Sequence, residues 1–409
     1  MRVLVLWSDL PSPYCGCSLP AFHMMKHLRK KHEFTLMAFR DATDERRYTD
    51  DILRYCRNLR TLDISMPKPF LRLAYQLAAN TLSPKTPLSR KWFALLNFSF
   101  SPAMRREVEN ILATNEFDVI YTNMRMAHYV KDVPLPKVVH NLDCMTEAVR
   151  QFFVNASNPG MKLLRAIQYL KTKQYERTIP GKFDACIVLS PHDQGTLNSL
   201  CPKANIVLIP IGVDTQFFRP WNGQEEWPSL IFVGDMEHPP NIDAVLFFYN
   251  NIYKKIKEYL PKTKLYIVGR NPVREVCRLS LDKSVIVTGY VEDVRPYLSR
   301  SSIAIAPLVS GTGIKIKILE AMAMGKLVIS TSVGSRGIDV SPGKNILIAD
   351  DPQYFAKCTV EALFDETARQ TMGHNGRLLV KAKYSWDAMA DELDTLFRDI
   401  VKKHSRKQG

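Results

Sequence analysis

Residues 302–326 read SIAIAPLVSGTGIKIKILEAMAMGK, and three local patterns follow one another within this stretch. The apolar run 302–308 is typical of a buried strand, and residues 309–314 have the composition of a loop. Helical spacing of the apolar residues then predicts a helix over 315–324, which Gly325 ends. A strand, a short loop and a helix in this order form one unit of a parallel α/β sheet.

The same unit recurs on both sides of this stretch. Short apolar runs alternate with helical patterns along the chain, which predicts parallel strands covered on both faces. Strands are predicted over 2–8, 33–39, 117–122, 137–142, 184–190, 229–234, 264–269, 284–289, 302–308 and 327–332. We therefore expect the α/β class, with two doubly wound, Rossmann-like domains that face a cleft.

A connector rich in Gly and Pro separates two series of strands. It follows the run NIVLIPIG, which begins near residue 205. We expect residues 1–205 to form one domain and residues 206–385 to form a second. Residues 386–409 carry an amphipathic pattern and are predicted to form a helix that crosses back to the first domain.

The composition is that of an ordinary globular protein, with 46% hydrophobic and 24% charged residues. No apolar run reaches the length of a membrane span, and MRVLVLW predicts a first strand rather than a signal peptide. A cytoplasmic protein is therefore expected. The eight cysteines have irregular spacing, which favours reduced thiols over a disulfide framework or a zinc site.

The net charge of +15 favours anionic partners, and most of it lies in residues 1–205. No motif typical of nucleic-acid binding is present, so a nucleotide substrate or an anionic membrane surface fits better. Residues 66–107 interleave Lys and Arg with aromatic residues. This segment predicts either a membrane-surface or acceptor-binding segment, or two packed helices with a solvated basic face. The first interpretation places the protein at the inner face of the cytoplasmic membrane.

The loop and helix of the opening stretch carry the residues that a nucleotide needs. Gly311 and Gly313 allow the backbone to approach an anion at the start of a helix, where the dipole favours negative charge. Lys315 and Lys317 add positive charge for a diphosphate. One turn further, Glu320 can accept two hydrogen bonds from a ribose diol. The sequence therefore predicts a nucleotide-diphosphate site.

Two other nucleotide-binding motifs are not found. A dinucleotide-binding fold predicts a glycine-rich motif after the first strand, where only Gly16 occurs, and the Walker A pattern is missing. Gly16 is therefore interpreted as a loop glycine at the carboxyl end of the first strand, on the acceptor or phosphate side.

Two segments resemble the donor-binding signature of the retaining family-4 glycosyltransferases of GT-B fold, and a third resembles the interdomain segment of that family. They are LEAMAMGKLVISTSVGSRGI (319–338), GKNILIADDPQYFA (343–356) and VLIPIGVDTQFFRP (207–220). The chain is most similar to the exopolysaccharide-associated sugar transferases, whose helix carries Lys-x-x-Glu. The resemblance implies two Rossmann-like domains, of which residues 1–205 bind the acceptor and residues 206–385 bind a nucleotide-diphospho-sugar donor.

The resemblance also implies roles for single residues. Glu320 matches the second Glu of the family's Glu-x₇-Glu pattern, whereas Thr312 stands where the first Glu contacts the transferred sugar. Gly234 lies in the first donor-domain loop, which lacks the family's usual Arg and Lys. We expect Lys315 and Lys317 to supply the positive charge instead.

Further residues of the resemblance lie in other loops. Gly289 and Tyr290 occupy the family's base-binding loop, and His140 resembles the His beside the transferred sugar. His140 and Thr312 are accordingly the predicted catalytic residues. The other predicted donor-binding residues are Gly16, Gly234, Gly289, Tyr290, Gly311, Gly313, Lys315, Lys317 and Glu320.

The expected reaction is transfer of a sugar, with retention, to a glycan or lipid-linked acceptor in surface or exopolysaccharide synthesis. Positioning of the substrates and stabilisation of the departing diphosphate would provide most of the catalysis. Neither a metal ion nor a cofactor is expected, because lysines and backbone amides supply the positive charge. An epimerase, a phosphorylase or an inactive glycosyltransferase scaffold remains an alternative on the same fold.

Overall fold

A computed structural model describes residues 1–13, 18–40, 46–63, 101–154, 159–221, 223–311 and 313–408. The chain forms two compact units. Unit 1 comprises Met1–Ile209 and Ala390–Gly409, and unit 2 comprises Pro210–Met389. These boundaries lie a few residues beyond those that the sequence predicts.

The described strands of unit 1 form a seven-stranded sheet in the order β3-β2-β1-β4-β5-β6-β7. All neighbouring strands are parallel. Their bounds are β1 Arg2–Trp7, β2 Glu33–Arg40, β3 Asn58–Asp63, β4 Val119–Asn123, β5 Lys137–Asn141, β6 Ala185–Val188 and β7 Ile206–Leu208.

Helices connect these strands, as parallel pairing requires. They are α1 Leu19–Leu28, α2 Arg46–Leu53, α3 Pro102–Thr114, α4 Met145–Val154, α5 Pro159–Thr178 and α6 Pro191–Leu200. The β-branched and aliphatic side chains of the central strands form the core, and Leu4, Leu6, Ile120 and Val139 are inaccessible to solvent. Burial of these apolar side chains is the main force that holds helices and sheet together.

Unit 2 repeats the architecture with a second sheet. In the described part of unit 2, six parallel strands lie in the order β10-β9-β8-β11-β12-β13. Their bounds are β8 Glu226–Val233, β9 Lys264–Val268, β10 Val285–Gly289, β11 Ser301–Ala306, β12 Val328–Ser330 and β13 Leu347–Ile348.

Helices again connect the strands of unit 2. They are α7 Pro239–Phe248, α8 Lys254–Tyr259, α9 Arg274–Cys277, α10 Arg295–Arg300, α11 Ile316–Ala323, α12 Ser332–Ser335, α13 Pro352–Phe364 and α14 Glu366–Lys383. A π-helical turn, Tyr249–Tyr253, joins α7 to α8. Phe232, Phe248 and Phe355 are among the largest fully buried side chains of this core.

The last helix, α15 (Trp386–Gln408), belongs to unit 1 from Ala390 onwards. Its Phe397 is fully buried, and its ring centroid lies 5.7 Å from that of Tyr121 on β4. Asp394 accepts a hydrogen bond from Nε2 of His32 at 2.8 Å. The helix therefore contributes both apolar and polar contacts to the fold of unit 1.

The prediction of an α/β fold built from two parallel, doubly wound sheets is confirmed. The sequence did not predict β3 as a strand. Its side chains alternate between half-buried and exposed because it lies at the edge of the sheet, so its sequence NLRTLD lacks the apolar run of the central strands.

Candidate functional site

The order of the strands in unit 2 reverses between β8 and β11. From β8 the chain moves through β9 and β10 to one edge, and it then returns to pair β11 with the other side of β8. The loops at the carboxyl ends of β8 and β11 therefore separate at this point. In open α/β sheets, ligands bind in the crevice that such a reversal creates.

Helix α11 begins directly after the loop that follows β11. Lys315 is its N-cap residue, and the helix ends at a Schellman motif. There, Gly325 has φ +74° and donates its N–H to the Met322 carbonyl, while Lys326 donates to Ala321. The predicted helix is thus observed with limits one residue shorter at each end, and its N-terminus points its first N–H groups to the carboxyl edge of the sheet.

Lys317 on α11 contacts residues of β8 and α7 across the strand reversal. Its ammonium donates a hydrogen bond to Oδ1 of Asn241 on α7 at 2.6 Å and lies 4.0 Å from the ring centroid of Phe232 on β8. Asn241 is itself fixed, because its amide donates to the carbonyl of Asp235 at 2.8 Å. An amide oxygen and an aromatic face therefore hold the lysine in place.

Close packing at this edge depends on two glycines. A Cβ atom on Gly234 would lie 2.9 Å from both the Lys317 ammonium and the Asn241 amide nitrogen. A Cβ atom on Gly269 would lie 1.7 Å from the carbonyl oxygen of Gly234. Gly234 thus leaves room for Lys317 to reach across the end of β8.

Two groups of α11 have strongly shifted pKa values. Burial and, to a smaller extent, the neighbouring Lys315 ammonium lower the pKa of Lys317 to about 7, against the opposing effect of Glu320. Burial also raises the pKa of the Glu320 carboxyl to about 7, against the effect of Lys317. Among the described residues, no hydrogen bond or ion pair engages this carboxylate. A ligand that brings negative charge and hydroxyl donors would satisfy both groups.

The loop before α11 has positive φ angles at its two described glycines. Gly311 and Gly313 have φ values of +113° and +72°, in the region that disfavours other residues. The Lys315 ammonium donates to the carbonyl of Gly313 at 2.7 Å, so it lies beside the loop.

Gly289 and Tyr290 lie at the carboxyl end of β10, at the edge of the same sheet. Gly289 has φ +69°, and the Tyr290 side chain is 68% exposed. An exposed ring at the carboxyl edge is available to a base, but the structure does not bring it into contact with Lys317 or Glu320.

His140, which ends β5 in unit 1, is buried at 4% exposure. Its Nδ1 lies 2.5 Å from the Tyr121 hydroxyl, and its Nε2 has no partner among the described residues. Burial lowers the pKa of His140 to about 3, so the ring is neutral. If the Tyr121 hydroxyl donates to Nδ1, the ring proton is on Nε2, and only this N–H lacks a partner. If Nδ1–H donates to the Tyr121 oxygen instead, both the hydroxyl proton and Nε2 lack a partner. The first assignment is favoured.

Several predicted features lie outside the described residues. They are Gly16, Thr312 and residues 64–100, which hold most of the basic aromatic segment 66–107. In the described part of the chain, no three His, Cys, Asp or Glu side chains are grouped as they would be around a metal ion. No helix there has the length and apolar character that crossing a membrane requires.

The site also contains residues that the sequence did not single out as ligands or supports. Phe232, Asn241 and His238 surround Lys317 from β8 and α7. Burial, and then the positive charge of Lys317, lowers the pKa of His238. The signal in the sequence was weak, because an asparagine near the start of a helix normally indicates a cap.

Residues 227–365 match the family described as "Glycosyl transferases group 1". This segment contains β8, α7, α11 and the strand reversal between them. It thus coincides with the part of unit 2 in which Lys317, Asn241 and Glu320 lie.

Curated relatives match over shorter lengths. An "Uncharacterized 44.6 kDa protein in cps region" from Klebsiella pneumoniae is 25% identical over 38% of this chain and 42% of its own length. A "GDP-mannose-dependent monoacylated alpha-(1-6)-phosphatidylinositol monomannoside mannosyltransferase" from Corynebacterium glutamicum is 31% identical over 46% of this chain and 55% of its own length. The alignments therefore span about half of each relative.

Solved structures match nearly the whole chain. Sucrose-phosphate synthase from Thermosynechococcus elongatus has a TM-score of 0.70 at 18% identity, covering 98% of this chain and all of that one. HepE from Anabaena, in complex with UDP-glucose, has a TM-score of 0.63 at 13% identity with the same coverage. These matches confirm the GT-B fold, and with the group 1 segment they support a glycosyltransferase.

Proposed function

We propose that the protein is a retaining glycosyltransferase that moves a sugar from a nucleotide-diphospho-sugar to a glycan or lipid-linked acceptor. The observation that carries this proposal is the group of Lys317, Asn241 and Glu320 at the strand reversal of unit 2. A cation with a lowered pKa and a carboxylate without hydrogen-bond partners, one helical turn apart, match the diphosphate and the ribose diol of one ligand.

Each group has a chemical role in the proposed reaction. As the bond between the sugar and the diphosphate breaks, negative charge accumulates on the leaving phosphate. The Lys317 ammonium and the N-terminus of α11 compensate for this charge, and the diphosphate in turn favours the protonated lysine. Glu320 accepts hydrogen bonds from the ribose hydroxyls and so fixes the nucleoside. Lys315 and the backbone at Gly311 act on the same diphosphate.

The remaining assignments follow the family resemblance. Gly289 and Tyr290 contact the base, Gly234 leaves space for the phosphates, and His140 donates from Nε2 to a hydroxyl of the transferred sugar. Thr312 and Gly16 keep their proposed roles as sugar and loop contacts. No metal ion or cofactor takes part in this scheme.

The biological setting is part of the proposal. The Klebsiella relative is named for a cps region, and the Corynebacterium relative acts on a phosphatidylinositol mannoside. Both names favour an acceptor for surface or exopolysaccharide synthesis, used at the inner face of the cytoplasmic membrane. The net charge of +15 is consistent with this location.

The test is turnover of UDP-sugars and GDP-sugars, with release of the nucleoside diphosphate as the readout. The Lys317→Met variant should bind nucleoside diphosphate about thirtyfold more weakly and lose turnover. Lys326→Met is the matched control, because Lys326 follows the same helix but donates to the carbonyl of Ser299. The anomeric configuration of the product, read by NMR, tests retention.

Three outcomes would contradict the proposal. Failure of every nucleotide sugar to bind would remove the donor site. Binding without turnover would favour an inactive scaffold, and an isomerised donor would favour an epimerase.

A further inference from the structure

Helix α5 in unit 1 is oriented with its apolar residues outward. Leu163, Ile167 and Leu170 follow one another at helical spacing, and they are 64%, 44% and 62% exposed. Val154, at the end of the preceding helix, is 61% exposed. Residues three and four apart lie on one helix face, so the three α5 residues form a continuous apolar stripe.

The opposite face of α5 faces the protein and includes buried polar residues. Thr172 and Glu176 are 5% and 1% exposed. The Glu176 carboxylate accepts hydrogen bonds from the backbone N–H groups of Met145 and Thr146 at 2.8 and 2.9 Å, and thereby caps α4. The helix is therefore anchored by the Glu176 hydrogen bonds and by Tyr175, which is partly buried against the core of unit 1, and packing against unit 1 does not require its stripe.

Basic side chains flank the stripe. Lys162, Lys171, Lys173 and Arg177 are all exposed, whereas the one acidic residue of α5, Glu176, is buried. The Lys162 ammonium lies 6.0 Å from the Phe153 ring centroid. An apolar stripe between cations, with no acidic residue on the exposed face, is the pattern of a helix that lies in a membrane interface.

We propose that the outward face of α5, centred on Leu163, Ile167 and Leu170, docks on an anionic lipid bilayer. The apolar side chains enter the boundary between headgroups and acyl chains, and the lysines contact the headgroup phosphates. A soluble protein partner would not require this uniform positive charge. The inference rests on the proposed function only in that a membrane-linked acceptor would explain why the protein docks on a bilayer.

The test is cosedimentation of the full chain with vesicles of equimolar phosphatidylglycerol and phosphatidylcholine, compared with phosphatidylcholine alone. We expect binding to the anionic vesicles at low salt and its loss at high salt. Leu163→Gln/Ile167→Gln/Leu170→Gln should weaken vesicle binding by about tenfold or more, because the apolar contribution is removed while helix propensity is kept. Lys171→Gln/Lys173→Gln should weaken binding to the anionic vesicles and leave binding to the phosphatidylcholine vesicles unchanged.

A matched control is Leu281→Gln/Leu378→Gln, which removes two leucines that are 85% and 52% exposed in unit 2. It should bind vesicles like the wild type. Equal loss in the control and the triple variant would overturn the proposal, as would a wild type that ignores anionic vesicles. A wild-type dimer that the triple variant dissociates would also overturn it.

A nucleotide-binding measurement on the same variants keeps this inference separate from the proposed function. The triple variant should bind nucleoside diphosphate normally, because its substitutions lie in unit 1. A wild type that binds vesicles but no nucleotide would overturn the proposed function and leave the docking surface supported.

Discussion

Glu176 on α5 and Glu320 on α11 are both carboxylates shielded from water, Glu176 fully and Glu320 in part, but their surroundings differ. Glu176 receives two backbone hydrogen bonds and has its partners within the protein. Glu320 has no such partner among the described residues, and burial raises its pKa to about 7. A carboxylate that supports the fold has its hydrogen bonds already formed, whereas one that binds a ligand retains unused capacity. The same criterion separates the inner face of α5, where Glu176 has its hydrogen bonds formed, from the site on α11.

The largest effect is expected at Glu176. Glu176→Ala would leave two backbone N–H groups of α4 without their charged acceptor, which should cost about 3 kcal/mol of stability in unit 1. Urea unfolding measures this loss. Glu147→Ala is the control, because among the described residues the Glu147 carboxylate pairs only with the exposed Arg150, so its loss should change stability by less than about 0.5 kcal/mol. Equal effects of the two substitutions would remove the distinction between the two glutamates.

Lys317→Met should weaken binding of UDP or GDP by about thirtyfold. This factor corresponds to the loss of one charge-assisted hydrogen bond worth roughly 2 kcal/mol. Nucleoside binding should change little, because the partner is the phosphate. Calorimetric titration with each ligand gives the ratio. Lys326→Met should match the wild type, and an equal loss of nucleoside and diphosphate affinity would show that Lys317 does not contact phosphate.

Glu320→Gln should weaken both nucleoside and nucleoside diphosphate binding by about tenfold, because the ribose is common to both. Ligands with a 2′-deoxyribose should lose less on this substitution. The folded-state pKa of Glu320 lies above its usual value of 4.5, so its ionisation destabilises the native state as pH rises from 4.5 through 7. The variant should therefore be at least as stable as the wild type at pH 8, which is the opposite of Glu176→Ala.

The smallest of these effects is the dependence of binding on pH. Diphosphate affinity should be greatest near pH 7 and about threefold weaker one pH unit to either side. Above pH 7, Lys317 loses its proton because burial and Lys315 lower its pKa, and below pH 7, Glu320 becomes neutral. His238 also faces this group and carries a lowered pKa.

The two limbs of this profile can be assigned separately. Lys317→Met should remove the alkaline limb, and Glu320→Gln should remove the part of the acid limb that does not come from the ligand phosphate. Parallel profiles for the wild type and both variants would contradict the assignment of the two pKa values to binding.

The sequence predicted those features that repeat or that depend on local chemistry. The parallel strands, the glycine turn at Gly325 and the lysines of α11 all have signals within a few residues of themselves. The contact between Lys317 and Asn241 could not be predicted in this way, since it depends on the strand order, which brings α7 and α11 together. The outward stripe of α5 was also missed, because an apolar helical pattern normally predicts a buried face.

Helix α15 has a consequence for the order in which the protein is made. Residues 390–409 supply Phe397 and Asp394 to unit 1, so the unit that leaves the ribosome first is completed last. Residues 210–389 are translated in between and contain the whole of unit 2. Tyr121 and His32 therefore lack their partners on α15 until the end of the chain has left the ribosome. A chain that ends at residue 389 should bind nucleotide through unit 2, whereas its unit 1 should be readily cleaved by protease.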